Sequence, residues 1–247
     1  MKIAILSDIK SNVYALEAVI RDAKSKNVDV ILNLGDSLYG PIAPRETFNM
    51  IKENKIITIC GNEDRKILEA TPDQLEKNDT LRYVYNDLDD NILYWIQDLS
   101  FEKLIGSDFY MIHGTFADDS LYMLEDISSG KAQLRDDKNI LSVIDDITSK
   151  FVMCGNSCIP RCINLSSGQV VINPGSVGLQ AFKSDYPNEH IIENNSIDAS
   201  YVVLSVEGDN YGIELVKVKY DVEKAAEVAK KNGRLDWAHA LEKGKVF

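Results

Sequence analysis

The chain is short of cysteine, histidine and positive charge, and it has no long apolar run. No stretch approaches the roughly 18 apolar residues that a membrane-spanning helix needs, so no span is expected. The opening "MKIAILSD" reaches an acidic residue too early for a secretory signal, and the expectation is a cytoplasmic protein. Lys and Arg number 27 against 39 Asp and Glu, a formal charge of -12. A surface this acidic repels polyanions, which excludes a nonspecific binder of nucleic-acid polymers. It still leaves room for a small phosphorylated substrate or ligand held by one local cation. The four cysteines stand at 60, 154, 158 and 162. In a reducing compartment they read as free thiols, with Cys60 and Cys154 inside apolar runs. Cys154, Cys158 and Cys162 would align on a helix, but Gly155 and Pro160 argue against one. No fourth ligand lies nearby, so a zinc knot is not expected. There is no Gly-x-x-x-x-Gly-Lys-Ser/Thr loop, internal repeat, low-complexity segment or linker-like break. One domain over 1–247 is the expectation.

Hydrophobic patterning supplies the architecture. "KIAILS" (2–7) reads as a buried parallel strand. Leu16, Val19, Ile20 and Ala23 then recur at helical spacing, with Asn12 as the cap. "VDVILNLGD" is a second strand, "APRETFNMIKEN" a helix and "KIITICGNED" a third strand. This β-α-β-α-β order predicts a parallel sheet whose strand ends share one edge. The stripe Leu81, Val84, Leu88, Ile92, Trp95 predicts one long helix over 79–98. "DFYMIHG" and "FVMCGNS" read as strands, with a helix over "DKNILSVIDDITSK" between them. Beyond that, "QVVINPGSVG", "SYVVLSVEG" and "YGIELVKVKY" predict a second sheet of antiparallel character. The tail from Asp221 reads as two helices broken at Asn232-Gly233.

Polar residues gather where the apolar runs stop: Asp8, Gly35-Asp36, Gly61-Asn62, His113-Gly114, Gly155-Asn156 and Cys158. One such residue means little, since a strand-end Asp is often only a helix cap. A series in chain order places oxygen and nitrogen donors on one sheet edge, where α/β proteins hold ligands. That pattern predicts a cation or phosphate site. His190, in a polar loop, and His239, on the last helix, read as surface residues. Tyr39 reads as core more readily than as a ligand contact.

These elements resemble those of the calcineurin-like metallophosphoesterases. "SDIKSNVYALEAV", "LGDSLYGPIAPRE", "CGNED", "IHG", "CGNSCIP" and "VINPGSVG" are similar, in order, to the family's successive strand-end motifs. The Gly-Pro loop and "YDVEKAAEVAKKNG" resemble a bacterial phosphodiesterase subgroup. The resemblance implies an α/β/β/α four-layer sandwich of two mixed sheets flanked by helices. It also implies phosphoester hydrolysis, with a nucleotide phosphodiester as the expected substrate class. Family members hold two divalent metals, which activate a water and neutralise charge developing on the phosphoryl group. By resemblance the first metal falls to Asp8, the residue at 10, Asp36 and the residue at 158. The second falls to Asp36, Asn62, His113 and the residue at 156. Asn62 and Glu63 occupy the catalytic positions, and Lys10 and Asn12 face the substrate.

Four positions depart from the family pattern. His is replaced by Lys10, Asn156 and Cys158, and often-His by Glu63. A protonated amine cannot coordinate a metal, and two carboxylates beside Lys10 favour its charge. Cys158 could be a soft thiolate ligand, but beside Lys10 it has no metal to join. Asn156 still offers an amide oxygen. One weak site for magnesium or manganese therefore remains: Asp36, Asn62, His113 and Asn156. Glu63 can serve as a general acid if its pKa is raised. Two readings stay open. One is a phosphoesterase working with one metal and Lys10; the other is a degenerate homologue that binds a phosphorylated ligand or partner without turnover.

Overall fold

The computed structural model describes all residues, 1–247. In chain order it runs β1 (Lys2–Leu6), α1 (Val13–Ser25), β2 (Val30–Asn33), α2 (Pro44–Glu53), β3 (Ile57–Thr58), α3 (Asn62–Leu68), α4 (Pro72–Lys77), α5 (Asp79–Asp87) and α6 (Asp90–Gln97). There follow β4 (Glu102–Ile105), β5 (Phe109–Ile112), β6 (Glu125–Asp126), β7 (Gln133–Leu134), α7 (Asp137–Val143), β8 (Phe151–Met153), β9 (Arg161–Asn164) and β10 (Val170–Asn173). The chain closes with β11 (Ala181–Ser184), β12 (His190–Glu193), β13 (Ala199–Glu207), β14 (Asn210–Val218), α8 (Val222–Lys231) and α9 (Leu235–Lys243). No helix is long and apolar enough to cross a membrane.

Period-two alternation gives each central strand two buried faces. In β1, Ala4 and Leu6 point to a core shared with α1, α2, α8 and α9, while Ile3 and Ile5 point the other way. There they meet Phe109, Met111, Phe151, Met153, Val170 and Ile172 of a second sheet. A third core holds Ile112, Val152 and Val171 against Ile140 of α7. The layers are therefore helix, sheet, sheet, helix, as expected.

The sheet orders are β14-β13-β1-β2-β3 and β4-β5-β8-β10-β9. Strands β1, β2 and β3 run parallel, as do β5, β8 and β10. One sequence expectation is corrected here. Strands β13 and β14 belong to the first sheet, where β13 pairs antiparallel with β1 (Ile3 opposite Leu204). The reason lies in β13's two apolar faces. Val202 and Leu204 enter the inter-sheet core and Tyr201 and Val203 the helix-side core, which suits a central position. A second correction concerns 79–98. The apolar stripe is continuous, but the helix breaks at Leu88, whose backbone is extended, and Asp89 caps α6 by accepting from Ile92 N. The predicted helix over "DKNILSVIDDITSK" is likewise confined to α7.

Candidate active site

The parallel strands β1, β2, β3, β5 and β8 end in turns that bring polar side chains to the same edge. Five of these residues carry left-handed backbone: Asp8 (φ 54°), Lys10 (53°), Asp36 (55°), Asn156 (65°) and Cys158 (58°). Non-glycine residues seldom adopt this region, and strain held by surrounding structure concentrates at functional sites. The turns are locked to one another. Asp8 N donates to Gly35 O, Lys10 N to Asp36 O, and Gly155 N to His113 O. At Gly61 a Cβ would lie 2.2 Å from Asp36 Oδ1, so only glycine lets the third turn close over that carboxylate.

Lys10 sits at the centre, 8% exposed. Its ammonium lies 2.6 Å from Asp36 Oδ2 and 3.3 Å from Asp8 Oδ1, and it also pairs with Glu63. Burial opposes its charge, but the carboxylates of Asp36, Glu63 and Asp8 outweigh it and raise the lysine's pKa. Asp36 is held well below the usual carboxylate range; burial works against this, and His113 and Lys10 prevail. Glu63 is pushed up by burial and by Asp36, with Lys10 pulling back.

His113 is buried and bonded through both nitrogens. Nδ1 lies 2.7 Å from Leu34 O, and Nε2 lies 3.0 Å from Asn62 Oδ1 and 3.4 Å from Asp36 Oδ1. Leu34 O and the Asp36 carboxylate are both acceptors, and this setting favours the protonated ring. Although burial disfavours that charge, Asp36 lifts the pKa to about 9.

The remaining predicted residues divide. Asn156 reaches the site: its backbone N–H donates to Asp8 Oδ2 at 3.2 Å, and its amide donates to Asp119 O. Cys158 is fully buried, and burial and Asp8 raise its thiol pKa, so it stands as a thiol and not a thiolate. Its sulfur is not part of the compact ligand group that Asp8, Asp36 and His113 form. Asn12 turns away. Its Oδ1 caps α1 at Ala15 N, and its Nδ2 donates to Gly178 O and Tyr220 Oη, so this side chain is engaged in structural bonds. His190 is not a surface residue: it is buried, with Nε2 2.7 Å from Tyr122 Oη.

Three residues escaped the sequence reading. Ser7 Oγ donates to Asp8 Oδ2 at 2.7 Å. Asp64 accepts from Ser37 N, Leu38 N and Gly61 N, tying the second turn to α3. Its signal was present, as an acid three residues after Gly61 at a helix start. Asp119 holds Arg65 at 2.6 Å and had no local signal.

The donor set fits a divalent ion. Ligand atoms of Asp8, Asp36 and His113 all lie within 4.8 Å of one another. Asp8 Oδ1 is buried without a hydrogen-bond partner, with the Lys10 ammonium 3.3 Å away as its ion-pair neighbour. With its Nε2 proton released, His113 would remain oriented by Leu34 O, the usual outer contact of a ligating imidazole.

Two mixed sheets with acidic, amide and imidazole groups converging on one edge define a phosphoesterase-type α/β sandwich. Residues 1–191 match the model of the calcineurin-like phosphoesterase superfamily domain, and the chain belongs to that family. It is 25% identical over 255 residues to an uncharacterised protein of Methanocaldococcus jannaschii, covering 95% of this chain and 94% of the relative. The fold is similar to that of a metallophosphoesterase from Sphaerobacter thermophilus (TM-score 0.77, 21% identity, 99% and 100% of the two chains). It is also similar to a hypothetical protein from Pyrococcus horikoshii (TM-score 0.77, 16% identity, 98% of each chain).

Proposed function

We propose that this protein acts on a phosphoester with one divalent ion, manganese or magnesium, while the Lys10 ammonium replaces the family's other ion. The observation that carries the reading is Lys10 Nζ lying between Asp8 and Asp36, beside a triad that fits an ion. Charge counting supports it. Formally, Asp8, Asp36 and Glu63 oppose Lys10 and His113, leaving the cluster at about -1, which repels phosphate. One divalent ion with a neutral imidazole brings the sum to about zero.

Asp36, Asn62, His113 and Asn156 would hold that ion, with Asp8 Oδ1 as a further acceptor. Once bound it polarises the phosphoryl oxygens and offsets the charge that develops on them. The protein's own groups do the rest. The Lys10 ammonium hydrogen-bonds Asp36 and Glu63 and lies 3.3 Å from Asp8 Oδ1, so the lysine meets a phosphate best if one of its bonded carboxylates yields. Glu63 is the one placed to yield: its side chain is 22% exposed, whereas Asp8 and Asp36 are buried. Its raised pKa suits a carboxylate that takes up a proton as it parts from Lys10 and then passes that proton to the leaving oxygen, while Lys10 turns to the phosphate.

The test is metal analysis of protein purified without chelator, followed by hydrolysis of bis(4-nitrophenyl) phosphate in manganese. The expected result is at most one ion per chain and manganese-dependent turnover lowered by Glu63→Ala. Two tight ions per chain would overturn the role of Lys10. A second reading, binding without turnover, draws on the closed network in which Lys10 and His113 are already fully paired. It predicts phosphate binding with no hydrolysis at saturating manganese.

A further inference from the structure

A cavity of about 840 Å³ opens beside this cluster, with Lys10, Asp36, Asn62, Glu63 and Asn156 on its wall. That is the size of a pocket for a drug-sized molecule, and far more than a phosphate group fills. The space beyond the strand ends is bounded differently. Phe182 of β11, Tyr186 of the β11–β12 turn and Trp237 of α9 line it. Phe182 is half-buried and Tyr186 is exposed, so aromatic surface is available to a ligand.

The cations of the cavity wall are not equivalent. Lys10 is enclosed by three carboxylates. Arg65 is held by Asp119 and Glu69, Lys183 by Glu189 and Arg234 by Asp236. Lys66 has no carboxylate within ion-pair distance; its ammonium rests 5.0 Å over the Tyr39 ring. It lies three residues after Glu63 on α3, hence on the same helix face as the acid that touches Lys10. An unpaired ammonium pre-positioned on an aromatic ring loses little on meeting an anion. Tyr39, read from sequence as core, is buried and also lines the cavity, so it supports the ammonium from below.

We propose that Lys66 is a ligand-binding residue that holds the anionic group of an aryl or heteroaryl phosphoester, whose ring lies against Phe182 and Tyr186. This rests on the phosphoester reading above and names the class of substrate. The aromatic wall supplies the affinity a bare phosphate lacks, and Lys66 fixes the phosphate end toward Lys10 and Glu63.

The test is calorimetric titration of the full-length protein in manganese with two non-hydrolysable probes, 1-naphthylmethylphosphonate and methylphosphonate. Wild type is expected to bind the naphthyl probe about tenfold or more tightly than methylphosphonate. Lys66→Ala should weaken both probes by about tenfold, and Lys66→Arg should restore much of the loss. Phe182→Ala should erase the preference for the ring while leaving methylphosphonate affinity in place. Melting curves check that each variant is folded; Lys66 is exposed, so its removal disturbs no core. Equal affinities of wild type for the two probes, or a Lys66→Ala protein indistinguishable from wild type, would overturn the proposal alone. If neither probe binds at all, the phosphoester reading fails with it.

Discussion

Lys10 illustrates how a single side chain can stand in for a cation. Its ammonium brings one charge where a divalent ion brings two, and it does so as part of the covalent chain, with no dependence on metal supply. The exchange is stable because desolvated carboxylates need a partner more than they need a particular one. Lys10→Ala removes that partner and leaves Asp8, Asp36 and Glu63 facing one another. Breaking a buried pair of this kind costs about 3–5 kcal/mol. Chemical denaturation in chelator should show a loss of that order, largely recovered on adding manganese. Lys10→His should instead gain manganese affinity, since the imidazole joins the open Asp8 Oδ1. Unchanged stability of Lys10→Ala in chelator would refute the counter-charge role. His113 adds a pH signature to the metal-free protein. Its pKa rises from the ordinary histidine value to about 9 in the fold, Asp36 overcoming the effect of burial. A histidine raised on folding stabilises fully below its unfolded pKa and loses that contribution as pH climbs through the folded value. Wild type in chelator should therefore lose roughly 3 kcal/mol, relative to His113→Gln, between pH 6 and 10. Parallel stability curves for the two proteins would rule this out.

At the level of elements, the turns after β1, β2, β3 and β8 matter more than the strands, because they aim the ligands. Gly61→Ala puts a methyl group against the carboxylate of Asp36 and so must open the third turn. The expected result is a folded protein with manganese affinity reduced by about tenfold or more, an outcome typical of disturbed outer contacts of a metal site. Wild-type affinity by titration would show that the turn can give way without moving Asp36. These turns were the most legible part of the sequence. Asp8, Asp36, Asn62 and His113 each follow an apolar run, and gathering them needs only the rule that parallel strands share an edge. What the runs could not show was partnership across the chain. Glu63 meets Lys10 from 53 positions away, and Asp119 meets Asn156 from 37. Nor does periodicity tell which sheet a strand joins: β10 and β13 are both apolar on two faces, yet they lie in different sheets. Asn12 was readable as a cap, and its Oδ1 accepts from Ala15 N accordingly. The break in 79–98 was hidden because Leu88 keeps the phase of the stripe while Asp89 starts a new helix.

For the molecule as a whole, the site and the core are the same joint seen from two sides. Asp8 and Asp36 arrive on the first sheet, His113 and Asn156 on the second, and the sheets meet through Ile3, Ile5, Leu32 and Leu34 against Phe109, Phe151 and Met153. Phe151 is 1% exposed, stacks on Phe109 at 5.4 Å between centroids, and so couples the starts of β8 and β5 within that contact. The sheets cannot separate without taking the ligand cluster apart. The chain should therefore unfold as one unit, and manganese should raise the temperature of the whole transition by linkage. Phe151→Ala, which leaves a cavity in the inter-sheet core at the strand ends opposite the site, should cost about 3–5 kcal/mol and also loosen manganese binding. Scanning calorimetry with and without manganese checks both points. A scan with two separate transitions, only one of them moved by manganese, would mean that each sheet folds independently and that the inter-sheet core does not carry the site.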